Sequence, residues 1–262
     1  MKEAASPSLN SMNATTITYD PYQHLPFLAY GSNAQPHGER FLSLMHFVES
    51  EKFRGVDESY RQYLLTLDDP IDFRLETAGV AQCRRRTDWD DVKGALIRAG
   101  IWMQLVQHQE ALRTQLLRPD SSSGVELIDD AARFIYGRLV KANQSGGDPL
   151  RRVVITGDTT LSSIALFDRF DQIFASRLPD EILVSDESGV AERAREYAIQ
   201  QYLPVRIFSD PESSPLAEQV MEKDSHVFSI GTADTPASQF AIDVLSLAAK
   251  QGKVAHHIKW VP

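Results

Sequence analysis

The 262-residue sequence contains one cysteine, Cys83, which excludes an internal disulfide and any zinc site built from several cysteines. No apolar run approaches the roughly 18 residues that a membrane-spanning helix needs. The first 20 residues also lack the apolar segment of a secretory signal. These absences predict a soluble, cytoplasmic protein with no membrane partner.

Basic residues are outnumbered as well, with 27 Lys and Arg against 36 Asp and Glu and a formal net charge of −9. Neither half of the chain has the basic excess of a protein that coats nucleic acid, so a nucleic acid would have to be a substrate held in a pocket. The clearest local basic cluster is the arginine run at 84–86. The seven histidines are scattered, so we expect no metal site and no cofactor.

The composition changes along the chain. Residues 1–16 are small and polar and are predicted to be a disordered lead-in. The segment KANQSGGDP at 141–149 interrupts two periodic stretches. We therefore predict a first domain at 17–143, a linker at 144–150 and a second domain at 151–262.

The two predicted domains differ in hydrophobic periodicity. In the first, the spacing predicts helices at 44–53, 57–67, 90–117 and 124–139, with short extended pieces near 27–30 and 40–41. In the second, predicted strands at 153–155, 181–184, 205–208, 226–230 and 254–258 alternate with helices at 161–175, 190–201, 216–222 and 237–250. The expected fold class is α+β overall: a mainly α-helical domain followed by an α/β Rossmann-like domain with a parallel sheet.

Three turns at the carboxyl edge of the predicted sheet carry residues suited to an anion, because backbone N–H groups face ligands there. The candidate nucleotide-binding residues are Gly157, Asp158, Thr159, Asp186, Ser188, Gly189, Gly231 and Thr232. The same residue types are good helix caps, so ordinary strand–helix turns explain them equally well.

The segment 153–258 resembles the SLOG superfamily, a Rossmann-like fold that includes the lonely-guy nucleotide hydrolases. The resemblance lies in VVITGDTT and in EILVSDESGVAERAREYAIQQYLPVRIF. It implies a nucleotide-binding fold. The PGGxGTxxE motif of the hydrolases is absent, and Asp186 and Glu187 stand where a phosphate would approach, so the resemblance favours a sensing, docking or weakly binding domain.

Two clusters in the first part carry acid–base and anion-binding groups. His46, Glu49 and Lys52 recur at three-residue spacing and are expected to share one helical face. The second cluster, RRTDWD at 85–90, places a carboxylate, an aromatic ring and helix N–H groups together. Each cluster also has an ordinary explanation, as a solvated ion pair, an N-cap and a core tryptophan.

The order of these clusters resembles the NADAR superfamily. The matching segments are FLSLMHFVESEKF at 41–53 and RRTDWDDVKGALIRAGIWMQLVQHQEALRTQLL at 85–117, and the resemblance covers about 17–143. The resemblance implies an α-fold N-glycosidase. Members of this superfamily are linked to NAD and ADP-ribose metabolism, including removal of ADP-ribose from guanine bases, and others cleave riboflavin-pathway intermediates. The candidate catalytic residues are Asp88, which matches the second motif, and Glu49, which lies one helical turn beyond position 45 and could take the place of the family's glutamate. The candidate substrate-binding residues are His46, Lys52, Arg85, Arg86 and Trp89, with Trp89 stacking on the base.

One position departs from this family: the glutamate before the histidine is Met45 here. A thioether cannot accept a proton or stabilise an oxocarbenium ion as a carboxylate does. Three hypotheses therefore stand: an N-glycosidase, a catalytically inactive sensor of an NAD- or ADP-ribose-derived ligand through either domain, and a scaffold with no small ligand. The expected partners are a nucleotide-type ligand, with ADP-ribosylated nucleic acid as one carrier, and a second copy paired through an edge strand.

Overall fold

A computed structural model describes residues 18–30, 37–79, 84–116, 118, 120–209, 216–221 and 225–261. The predicted lead-in at 1–16 and Cys83 lie outside these residues. The first part contains β1 (Phe27–Ala29), β2 (Glu39–Phe41), α1 (Leu44–Glu51), α2 (Glu58–Leu65), α3 (Pro70–Gly79), α4 (Trp89–Gln107), α5 (Gln109–Leu116) and α6 (Glu126–Asn143). The second part contains β3 (Arg152–Gly157), α7 (Leu166–Phe174), β4 (Glu181–Ser185), α8 (Val190–Gln200), β5 (Val205–Phe208), α9 (Leu216–Val220), β6 (Ser225–Gly231), α10 (Gln239–Lys250) and β7 (Ala255–Lys259).

The second part is a five-stranded parallel sheet in the order β5-β4-β3-β6-β7. Its central strands β3 and β4 are largely apolar and buried on both faces because helices cover both, whereas the edge strand β7 is partly exposed. Val153 and Ile155 pack with α7 and α8, whereas Val154 and Leu183 pack with α9 and α10. The predicted fold class, helical first and then α/β with a parallel sheet, is confirmed.

The first part is built around α4, which packs against α1, α6 and β1. Gly100 on α4 allows the close approach of α1, because a Cβ there would lie 2.7 Å from Cδ1 of Phe47. A short antiparallel pair, β1 with β2, covers one side of this core and places Phe27 opposite Phe41.

The two parts share one hydrophobic cluster, to which Phe47 and Trp102 belong together with Ile155 and Ile230. Arg138 on α6 adds a polar contact, donating to Asp180 at 2.8 and 2.7 Å. The predicted linker at 144–150 lies between the end of α6 and the start of β3. The division into two domains at that point stays a prediction.

Helix α3 has no counterpart in the sequence prediction. Its apolar residues Ile71, Phe73 and Leu75 are spaced two apart rather than at helical spacing, and Phe73 is the only one of them that is buried. A capping signal was present, since the Asp69 carboxylate accepts the N–H of Ile71 at 2.7 Å and Pro70 occupies the first helical position.

The helix predicted at 90–117 is two helices, and the prediction of one continuous helix is wrong. His108 has non-helical backbone angles between α4 and α5, and its Nε2 lies 2.5 Å from the carbonyl oxygen of Pro26. Within the described residues, no helix combines the length and apolar character needed to cross a membrane.

Candidate functional site

Three half-buried side chains form a stripe along α1. They are Met45 and Glu49 on α1 and Lys52 directly after it, at positions i, i+4 and i+7, and every other residue of α1 is buried. The prediction that His46, Glu49 and Lys52 share one helical face is therefore wrong for His46, which is buried. The three-residue spacing places His46 at the side of the stripe, where β2 and α2 cover it.

His46 is a structural residue of the core. Its side chain is 3% exposed, Nδ1 accepts the N–H of Leu42 at 2.9 Å, and Nε2 donates to the carbonyl of Leu64 at 2.9 Å. Burial lowers the pKa of His46, so the neutral ring is favoured. Because both ring nitrogens are occupied by backbone groups, His46 presents no nitrogen to a ligand.

Lys52 connects the stripe to the start of α4. Its Nζ lies 2.5 Å from Oε2 of Glu49 and 5.4 Å from the centroid of the Trp89 ring. Trp89 is only 5% exposed. The Trp89 ring therefore makes a cation–π contact with the Lys52 ammonium from the core side. The expectation that Trp89 stacks on a base does not fit its burial.

Asp88 and Arg86 form a second ion pair beside Lys52. Arg86 donates to both Asp88 oxygens, at 2.6 and 2.8 Å, and to the Tyr202 hydroxyl at 2.6 Å. The N–H of Arg86 donates to the carbonyl of Lys52 at 2.8 Å. The backbone thus holds the two clusters nominated from the sequence next to each other.

The Asp88 carboxylate is available to a ligand. Asp88 occupies the N-cap position of α4, but its side chain makes no capping hydrogen bond. Its hydrogen bonds from Arg86 lower its pKa, and the side chain is 44% exposed. An ionised carboxylate therefore lies at the surface, where it accepts hydrogen bonds from the Arg86 guanidinium and, at 3.4 Å, from the Tyr202 hydroxyl. We call Glu49, Lys52, Arg86 and Asp88 the α1–α4 site.

The other two arginines of the basic run turn away from this site. Arg85 pairs with Asp90 at 3.0 Å. Arg84 pairs with Asp57 and stacks on the Tyr60 ring, 4.7 Å from its centroid. Arg84 also borders a cavity of about 690 Å³ between α2 and α3. The three consecutive arginines therefore have three different surroundings.

Sequence reasoning missed Tyr202 and a buried ionic network. Tyr202 follows α8, so it comes from the other part of the chain and no local pattern connects it with Asp88. The network lies under the end of α1 and joins Glu39, Glu51, Arg54 and Arg61. Arg54 donates to Glu51 at 2.6 Å and to Glu39 at 2.7 Å, and Arg61 donates to Glu39 at 3.1 Å.

The three turns nominated in the second part do meet at the carboxyl edge of the sheet. Oδ1 of Asp158 accepts the N–H of Thr160 at 2.9 Å, and Oδ2 accepts the hydroxyl of Thr232 at 3.1 Å. The Ser188 hydroxyl donates to the carbonyl of Thr159 at 3.0 Å. The Thr160 hydroxyl also donates to Oδ1 of Asp158 at 2.7 Å, and this bond contributes most to lowering the pKa of Asp158.

The glycines of these turns are explained by contacts between the turns. A Cβ on Gly157 would lie 1.9 Å from the carbonyl oxygen of Ile230, and one on Gly189 would lie 2.3 Å from that of Asp158. A Cβ on Gly231 would meet the ring of His257 at 3.3 Å. The space that these glycines leave is therefore filled by the protein.

The acidic residues after β4 face other protein groups. Oδ2 of Asp186 lies 3.2 Å from Nδ1 of His37, and Glu187 accepts the hydroxyl of Ser185 at 3.0 Å. Burial raises the pKa of Glu187. A neighbouring cavity of about 520 Å³ has mostly acidic ionisable groups in its lining: Asp186, Glu187, Glu218, Asp243 and Lys250. An anionic phosphate is disfavoured there by charge repulsion.

Among the residues with described positions, no three His, Cys, Asp or Glu side chains are grouped as ligands for a metal ion. The α1–α4 site is therefore the best candidate for chemistry, because it combines reachable carboxylates with cations. No protein-family model, curated protein or solved structure matched this chain in the corresponding comparisons.

Proposed function

We propose that the α1–α4 site is the site of an N-glycosidase that acts on an ADP-ribosyl or related NAD-derived substrate, such as ADP-ribosyl-guanine. The observation that carries the proposal is that two partly exposed carboxylates, Glu49 and Asp88, lie with Lys52 and Arg86 along one surface. The NADAR-like order of the same residues in the sequence supplies the substrate class.

Cleavage of an N-glycosidic bond builds positive charge on the sugar, which a nearby carboxylate stabilises. Asp88 suits this task because hydrogen bonds from Arg86 favour its ionised form. Glu49 offers a second carboxylate one helical turn beyond Met45. Water adds to the anomeric carbon and loses a proton, while the bond to the base breaks and the base nitrogen takes up a proton.

A second candidate function is binding without catalysis, through this site or the second part of the chain. Met45 favours binding without catalysis, because it stands on the same stripe as Glu49 and Lys52 and its thioether cannot act as a carboxylate does. In the family that the sequence resembles, a glutamate occupies this position. The ligand would be the same, an NAD- or ADP-ribose-derived compound, and occupancy would be read by a partner.

The test is incubation of the protein with ADP-ribosyl-guanine DNA, NAD, ADP-ribose and riboflavin-pathway amino-sugar phosphates, followed by mass spectrometry. Loss of one N-glycosidic bond is the expected result. Asp88→Asn should then lower turnover by about 100-fold or more. The matched control is Asp90→Asn, two residues along the chain and paired with Arg85, which should keep turnover within about twofold.

One outcome would reject the role of Asp88, and another would reject catalysis altogether. Undiminished turnover in Asp88→Asn would remove this carboxylate from the mechanism. A wild-type protein that retains a panel compound without cleaving it would belong to the binding class. In that case Met45→Glu tests whether the missing carboxylate is the cause, because turnover should then appear.

A further inference from the structure

All the cations that the sequence nominated to hold a phosphate are already paired. Lys52 bonds Glu49 at 2.5 Å, and Arg85 and Arg86 bond Asp90 and Asp88. An anionic ligand would have to compete with a carboxylate for each of them. The α1–α4 site by itself is also neutral, with two carboxylates and two cations.

Arg74, on the helix α3 that the sequence did not predict, is different. Its guanidinium lies over the ring of Tyr22, with Cζ 4.4 Å from the ring centroid. Its side chain is exposed, and no carboxylate in the described part of the chain lies within salt-bridge distance. Stacking holds a guanidinium flat while leaving its N–H edge open to a bidentate acceptor.

Tyr22 lies beside the stripe on α1. The carbonyl of Pro21 accepts the N–H of Met45 at 3.0 Å, so the backbone before Tyr22 is fixed to the first residue of the stripe. Burial and then the negative charge of Glu49 raise the pKa of Tyr22. The pair of Tyr22 and Arg74 therefore lies beside the Met45 end of the α1 stripe, to which Glu49 and Lys52 of the α1–α4 site also belong.

We propose that Arg74, held on Tyr22, is the phosphate-binding residue of the α1–α4 site. It offers two parallel N–H donors to a phosphate, and its positive charge is not engaged in a salt bridge as those of Lys52 and Arg86 are. The ligand class is a sugar that carries a phosphate or pyrophosphate ester. The position of the sugar rests on the proposed function, whereas the anion subsite itself does not.

The test is modification of arginines by 2,3-butanedione with and without inorganic pyrophosphate or ADP-ribose, read by peptide mass spectrometry. With ligand at about ten times its dissociation constant, modification of Arg74 should slow by about tenfold. Arg113, exposed on α5, is the internal control and should react at an unchanged rate.

Calorimetry with ADP-ribose supplies a second measurement. Arg74→Gln should weaken binding by about tenfold or more, and Arg74→Lys should weaken it less, because an ammonium keeps the charge but loses the fork. Arg113→Gln should bind like the wild type. Tyr22→Phe should also keep most of the affinity, since the ring rather than the hydroxyl supports Arg74.

The outcomes separate the two proposals. Cleavage of a panel substrate without protection of Arg74 would overturn the anion subsite and leave the N-glycosidase standing. Protection of Arg74 without any cleavage would support the subsite and overturn the catalytic proposal. Neither protection nor cleavage would overturn both.

Discussion

Replacement of Arg61 by methionine tests the ionic network under α1. The Arg61 side chain is fully buried, and it bonds Glu39, Glu51 and the more exposed Glu58. In the wild type, two buried carboxylates, Glu39 and Glu51, face the two guanidiniums of Arg54 and Arg61. Methionine fills a similar volume, but it leaves one buried negative charge without a partner.

Breaking a buried ion pair on one side costs about 3–5 kcal/mol, because the remaining charge keeps its desolvation penalty. We therefore expect Arg61→Met to lower the free energy of unfolding by about this amount. Urea unfolding followed by circular dichroism measures it. Arg133→Met is the matched control, since Arg133 pairs with Asp130 at the surface, and it should cost less than about 1 kcal/mol.

The double variant Glu39→Gln with Arg61→Met removes one charge of each sign and should be more stable than Arg61→Met alone. A loss below about 1 kcal/mol in the single variant, with an unchanged denaturant slope, would refute the reasoning. So would a double variant that is less stable than the single one. Either result would mean that the network is solvated.

Three further predictions follow from contacts of single residues. Burial lowers the pKa of His46 below its usual 6.5, so as the pH falls the unfolded chain takes up a proton at this residue before the folded protein does. Stability should therefore be fully present above about pH 6.5 and fall as the pH drops below it, and the pH dependence of the urea midpoint should flatten in His46→Gln. Gly189→Ala should lower stability in thermal unfolding by about 1–3 kcal/mol, because φ is +69° and the new Cβ would meet the carbonyl of Asp158; an unchanged midpoint would contradict the close approach of these turns. Tyr202→Phe removes the hydroxyl that Arg86 contacts and should cost about 0.5–1.5 kcal/mol by urea unfolding with the fold retained; a cost near zero would mean that this contact between the two parts contributes nothing.

The stripe on α1 shows what sequence patterns predict and what they do not: they locate the helix, but they do not tell which of its polar residues are buried. The spacing of apolar residues located the helix correctly, because helical periodicity is a property of neighbouring positions. It assigned His46 to the same face as Glu49, since residues three apart lie close on a helix. Tertiary packing places His46 in the core instead, because backbone groups of Leu42 and Leu64 hydrogen-bond both of its ring nitrogens.

The candidate site divides in the same way. The sequence identified Glu49, Lys52 and Asp88 as chemically suited residues, and the structure brings them to one surface through the contact of Arg86 with Lys52. No local signal could show that Tyr202 contacts Arg86, because the two are 116 positions apart. Whether these residues perform catalysis stays a prediction.

The sequence alone determined the helical first part, the parallel sheet and the types of residue at its turns. These follow from apolar residues at helical spacing, from short apolar runs between helical stretches, and from Gly, Asp and Ser at strand ends, all of which act over a few residues. Only the tertiary structure decided which charges are paired and which are open, because ion pairing depends on distances between side chains far apart in the chain. For this reason the nominated Lys52 and Arg86 are engaged in ion pairs. Arg74, on a helix that the sequence analysis did not predict, lies over the Tyr22 ring with no carboxylate of the described residues within salt-bridge distance.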